Sequence, residues 1–230
     1  IKDDIELSMM QLLKQSLSES AAAWEDDKKI IKTWGKAVAS LGELFPAIAE
    51  DFLAQYVHDL LIFDRGQKLD QFLEYSRQIK NRFPEKNQAH ALRILAKTFF
   101  VKDEVYVAHL MLSPVKRAFD QKRFSELGSS YQYKFINRPS FEVFGRKIEF
   151  DLSPKIWMLK SMRHLRILRT LMPSWHLKER KIASTIQNSL LALPAKTDDQ
   201  DLRKELQKLE NVKGYREVRY SKASQYEVSV

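Results

Sequence analysis

Apolar residues recur at intervals of three or four along nearly the whole chain and lapse into strict alternation only once, which restricts the fold more than any other feature. Over 3–23, Leu7, Met10, Leu13 and Leu17 line one helix face. Ile30, Ile31, Trp34, Ala37, Val38 and Leu41 predict a helix over 25–41 with Gly42 as its stop. Phe45-Pro46 places a proline at the start of a third, with Phe52, Leu53, Tyr56, Val57, Leu60 and Leu61 inward and Asp64-Arg65-Gly66 as its break. Leu69, Phe72, Leu73, Ser76 and Ile79 predict a fourth over 68–82. The pattern over 87–112 fits one long helix or two with a bend near 101–103. Helices are further expected over 115–124, 154–172 and 177–193, and from Asp198 to Leu209, closed by Lys213-Gly214-Tyr215, with 226–230 a loose tail.

The lapse falls within 129–150. Tyr131, Tyr133, Phe135, Phe141, Val143, Ile148 and Phe150 alternate with polar residues, which is strand periodicity, and Phe144-Gly145-Arg146 can turn. With only 6 Gly and 7 Pro in 230 residues, the chain lacks the turns of a many-stranded sandwich or barrel. The expected fold is mainly α, a multi-helix domain with one β-hairpin-like insertion around 130–150. Residues 1–45 read as an N-terminal helical pair or a linker to upstream domains, 46–222 as a helical C-terminal domain, and 223–230 as a tail. The first residue, Ile1 rather than Met, suggests a fragment, a processed product or a chain whose earlier residues are missing.

Charge narrows function less than fold. The net charge is +9, which suits nucleic acid, anionic lipid, an acidic protein or an anionic cofactor alike. Cysteine is absent, so these residues supply no disulfide, no zinc thiolate and no iron-sulfur ligand. No apolar run approaches the roughly 20 residues that span a bilayer, and Ile1 to Glu6 is acidic rather than the basic start of a signal peptide. A cytoplasmic location is the plain expectation.

Chemistry-bearing clusters are few. From Lys155 to Lys181 eight cations, among them Lys160, Arg163, Arg166 and Arg169, face one acid, Glu179. Such a run can grip phosphates, but charged helix faces are more often solvated, and no aromatic ladder accompanies it. Lys102-Asp103-Glu104 precedes His109 by little more than a helical turn, and these groups perform acid-base work only in a shared desolvated pocket. A local salt bridge or a helix boundary is the commoner use of that pattern. His58, His90, His164 and His176 lack metal-site spacing, and Ser8, Ser16, Ser18 and Ser20 have no partner visible in the sequence. Trp34, Trp157 and Trp175 read as core or interface anchors. There is no dinucleotide fingerprint, Walker loop or nucleophile elbow.

The ordered series Lys102-Asp103-Glu104, Tyr133-Lys134-Phe135, Arg138-Pro139, Gly145-Arg146-Lys147-Ile148-Glu149-Phe150, Trp157, Leu193-Pro194 and Val212-Lys213-Gly214-Tyr215 resembles the C-terminal helical domain of indolepyruvate ferredoxin oxidoreductases. The likeness covers roughly 50–222. It implies a noncatalytic structural or interface domain of an enzyme that oxidatively decarboxylates aryl pyruvates and related 2-oxo acids to acyl-CoA. Ferredoxin would be the electron acceptor. Thiamine diphosphate, magnesium and iron-sulfur clusters would then belong to other domains, with no cofactor in this segment. The implied partners are the catalytic domains or subunits, and ferredoxin and CoA for the parent enzyme. Neither a membrane nor, on balance, nucleic acid is expected as a partner. Binding candidates are Lys102, Asp103, Glu104, His109, Arg138, Arg146, Lys147, Lys160, Arg163 and Arg166; no catalytic residue or metal ligand is assigned. The alternative, read from charge alone, is a basic helical module for nucleic acid or anionic phosphate ligands.

Overall fold

A computed structural model describes residues 7–21, 27–124, 140–143, 146–149, 153–172, 174–194, 199–212 and 217–225. Its architecture is mainly α. Helices α1 (Met9–Ala21), α2 (Asp27–Leu44) and α3 (Glu50–Asp64) pack on one another, and α4 (Leu69–Arg82) joins α5 (Glu85–Thr98) through Phe83 and Pro84. Against α3 lies α6 (Glu104–Leu112), and against α1 lies α7 (Pro114–Arg123). Next come α8 (Ile156–Met162), a 3-10 turn (Leu165–Ile167), α9 (Leu168–Leu171), α10 (Leu177–Ala192), α11 (Asp199–Asn211) and α12 (Glu217–Gln225). Both α10 and α11 rest on α5, while α8 packs along α6.

The three- and four-residue spacing converts directly into one core. Leu13, Leu17, Trp34, Leu41, Leu53, Leu60, Phe72, Leu92, Ile186, Leu190 and Leu206 are all buried in a single cluster. Trp34 is almost wholly enclosed because its Nε1–H donates to the Ala54 carbonyl oxygen at 2.9 Å, satisfying the one polar group that burial strands. Fully burying a side chain of this class contributes about 1.5–3 kcal/mol, so the cluster outweighs any single polar contact described below.

Several element boundaries differ from expectation. Gly42 does not stop α2, which runs on to Leu44; the end is set by Phe45, drawn into the core while its N–H still bonds the Leu41 carbonyl oxygen at 2.8 Å. Pro46 lies in the turn before α3, whose first turn instead carries Glu50 and Asp51. Leu7 and Phe52 are exposed rather than inward. The break at Asp64-Arg65-Gly66 is a left-handed pair, with φ 63° at Arg65 and 79° at Gly66. Asp64 Oδ1 accepts from Gly66 N–H at 2.9 Å, and a Cβ at Gly66 would lie 2.8 Å from Leu61 Cδ2 on a backbone of positive φ, so any side chain there is strained.

The 87–112 pattern resolves into two helices, α5 and α6, parted at 99–103. The 154–172 stretch is not one helix. It breaks after Met162, where the Arg163 carbonyl oxygen lies 3.0 Å from His109 Nε2. α12 was not expected; Ala223 packs it onto the core. Strands β1 (Ser140–Val143) and β2 (Arg146–Glu149) pair antiparallel, with Phe141 opposite Ile148. The wider insertion expected around 130–150, the Lys213-Gly214-Tyr215 closure and the 226–230 tail fall largely or wholly outside the described residues. Among the described residues no helix is long and apolar enough to cross a membrane.

Candidate functional site

The Lys-Asp-Glu motif opens α6, and its acids are both engaged. Asp103 is the N-cap: its Oδ1 accepts from Tyr106 N–H at 2.8 Å, satisfying one of the amides that a helix start leaves without a partner. The same carboxylate, 3% exposed, takes a two-pronged bond from Arg169, Nε to Oδ2 at 2.6 Å and Nη2 to Oδ1 at 2.9 Å. Arg169 also donates through Nη1 to the Phe63 carbonyl oxygen, and its guanidinium lies 3.9 Å from the Phe63 ring centroid. Glu104 Oε2 sits 2.9 Å from His176 Nε2. Lys102 is exposed at the rim of a neighbouring cavity.

His109, at the other end of α6, is buried between two partners. The Arg163 carbonyl oxygen can only accept, so Nε2 carries the proton, and Nδ1, 3.3 Å from Ser20 Oγ, is left to accept from that hydroxyl. Burial, and after it the positive field of Arg166, lowers the imidazole to about 3. His109 is therefore neutral at pH 7, lacking the proton a general acid needs and holding both nitrogens in structural bonds. Asp103, Glu104 and His109 do not converge on one pocket. Each reaches a different point of the 163–176 segment, and together they clamp it to α6.

What the clamp presents outward is apolar and basic. On α8, Leu159 is buried while Ile156, Trp157, Lys160 and Ser161 face solvent, Trp157 with 64% of its surface exposed. Ile167 and Leu171 are 59% and 68% exposed further along. Among the candidates, Lys160 is exposed and Arg163 and Arg166 half-buried on this segment. Arg138 lies outside the described residues, and of Arg146 and Lys147 only the β2 backbone is described.

Two further polar groupings escaped sequence reasoning. Ser16 Oγ, His58 Nε2 and Nδ1, and Asp59 Oδ1 form a relay with spacings of 2.9 and 3.0 Å. Burial first, and the Asp59 charge next, raise the Tyr106 phenol well above its usual value. The order serine, histidine, aspartate mimics a hydrolase triad, but Ser16 is 6% exposed within α1, where backbone amides are occupied by the helix and cannot form an oxyanion hole. The relay staples α1 to α3. The adjacent pair His58-Asp59 was the only signal available, and the serine lies 42 residues away.

A cavity of about 510 Å³ borders Tyr106, Phe100, Val101, Ile94 and Ile186. Its charges largely answer one another: Arg219 meets Glu179 at 2.6 Å, and Glu210 collects His90 at 2.9 Å, Arg93 at 2.8 Å and Lys97 at 3.5 Å. Burial works to raise the Glu210 carboxyl, yet Arg93, His90 and Lys97 together hold it below its ordinary value. No group of three or more metal-ligating side chains occurs among the described residues.

No family model, no curated protein and no solved structure matches the chain.

Proposed function

We propose that this chain is a noncatalytic structural and interface domain of a 2-oxo acid oxidoreductase that uses ferredoxin as acceptor and CoA as acyl receiver, its mainly α body carrying a hairpin-like insertion around 130–150. The observation that supports the reading is the use made of Lys102-Asp103-Glu104, the first motif of the resemblance. Asp103 and Glu104 commit their oxygens to Arg169 and His176, so the motif positions a segment rather than a reacting atom. Thiamine diphosphate, magnesium and iron-sulfur clusters belong, on this reading, to the catalytic domains, and the protein works in the cytoplasm beside them.

The experiment is anaerobic purification of the native enzyme with and without this chain, followed by 2-oxo acid- and CoA-dependent reduction of ferredoxin. Loss of assembly or activity on deletion, with the chain alone inert, supports the division of labour. Turnover by the chain alone overturns it. The six cations between residues 152 and 178, with no acid among them, favour a second reading as a module for nucleic acid or phosphate ligands. That reading requires duplex affinity that falls steeply with salt; no binding at low ionic strength removes its nucleic-acid form.

A further inference from the structure

We infer that the stretch from Ile156 to Met172 is a docking face for an acidic, apolar-bearing protein surface on the catalytic part of the parent enzyme, with Trp157 as its anchor. The inference rests on the oxidoreductase reading above and names the contact that reading leaves open.

Exposed apolar surface is not spread evenly over the described residues. Of ten large hydrophobic side chains recorded as exposed among the described residues, seven fall between 156 and 177. Single exposed apolar residues are ordinary, whereas such a concentration marks an interaction site. α8 shows the division on a single helix, with Leu159 turned into the protein and Ile156 and Trp157 turned out beside Lys160. The segment is also held in shape before any partner arrives. Arg169, His176 and the Arg163 carbonyl are each bonded to α6, which lowers the ordering cost of association.

Charge chooses the occupant. Lys155 and Lys160 are exposed and Arg163 and Arg166 half-buried along this face, no acid lies between residues 152 and 178, and the chain's net charge is +9. A second copy would set cations against cations, and an acidic surface complements them. Tryptophan is among the residue types that dominate protein interfaces, and Trp157 stands exposed here. A bilayer surface is a poorer fit, because it takes up a continuous amphipathic helix, and this stretch is divided into helices of seven, three and four residues. For nucleic acid, the outward Ile156, Ile167 and Leu171 offer nothing to a phosphate.

Hydroxyl-radical footprinting of the intact native enzyme, identified by its 2-oxo acid- and CoA-dependent reduction of ferredoxin, against this chain alone tests the inference. Trp157 and Leu171 should be protected about tenfold or more in the enzyme. Trp157→Asp and, separately, Lys155→Glu/Lys160→Glu should each weaken assembly about tenfold or more while leaving the chain's own melting unchanged, since all three side chains are exposed. An enzyme that contains the chain but leaves Trp157 as reactive as in isolation overturns the face and spares the oxidoreductase reading. If no enzyme of that activity contains the chain, both fall. Protection of Trp157 by phosphatidylglycerol vesicles or by a 20-base-pair duplex, with none in the enzyme, reassigns the face to lipid or nucleic acid and likewise overturns the inference.

Discussion

Asp103 performs two jobs with one carboxylate, and they can be separated by substitution. As an N-cap it contributes about 1 kcal/mol to α6, and an asparagine would retain most of that. As the partner of Arg169 it matters more, because removing one member of a largely buried pair leaves a charge without compensation, at about 3–5 kcal/mol. Asp103→Ala should therefore lower the unfolding free energy by about 3 kcal/mol or more, and Asp103→Asn by distinctly less, with urea melts as the measurement. A loss of only about 1 kcal/mol for Asp103→Ala, with almost none for Asp103→Asn, would leave the cap as the whole contribution and mean that Arg169 finds another acceptor, such as the Phe63 carbonyl it already engages.

At the scale of elements, α8, the 3-10 turn and α9 depend on α6 for their place, since the 153–172 stretch buries only Pro154 and Leu159 fully. Few buried contacts and a handful of polar tethers describe a locally weak unit. Trypsin cuts after Lys160, Arg163, Arg166 and Arg169, so it reports local opening there. In Asp103→Ala, cleavage at these four positions should rise about tenfold or more, while cleavage after Lys80, Arg82 and Arg93 stays close to wild type, as read by mass spectrometry. A uniform increase would instead signal global destabilisation. The same weakness explains what the sequence did not reveal. Helices α2 to α5 were legible because Trp34, Leu41, Leu60, Phe72, Ile79 and Leu92 bury one stripe in a common core, and periodicity encodes burial. The 154–172 stretch carries helical spacing too, but the break after Met162 is a tertiary event: His109, 54 residues away, bonds the Arg163 carbonyl. Periodicity likewise cannot tell an inward Leu159 from an outward Trp157 two positions before it. The candidates Asp103, Glu104 and His109 were picked out for possible acid-base work, and only their partners Arg169, His176 and Arg163 show that they hold structure.

For the whole molecule, His109 ties three parts of the chain together, α1 through Ser20, α6 itself and the end of α8 through Arg163, with Arg166 and Arg169 adding positive field around it. Its protonation therefore bears on global stability. An unfolded histidine titrates near 6.5, whereas the folded group is held to about 3 by burial and then by Arg166. The folded value is the depressed one, so between about 3 and 6.5 the unfolded chain binds the extra proton. The contribution of the neutral imidazole is complete above 6.5 and drains away as pH falls toward 3, by at most about 1.4 kcal/mol per pH unit. Carboxylate protonation pulls the same way in acid, so the diagnostic quantity is a difference between two proteins. His109→Gln can donate an amide N–H to the Arg163 carbonyl and accept from Ser20 without titrating. Its unfolding free energy, measured in urea at intervals from pH 7.5 to 4.5, should fall more shallowly than that of wild type, with the two curves converging below pH 6. Parallel curves would show that the folded His109 takes up its proton as readily as the unfolded one, and the hydrogen-bond directions given to its two ring nitrogens would have to be abandoned.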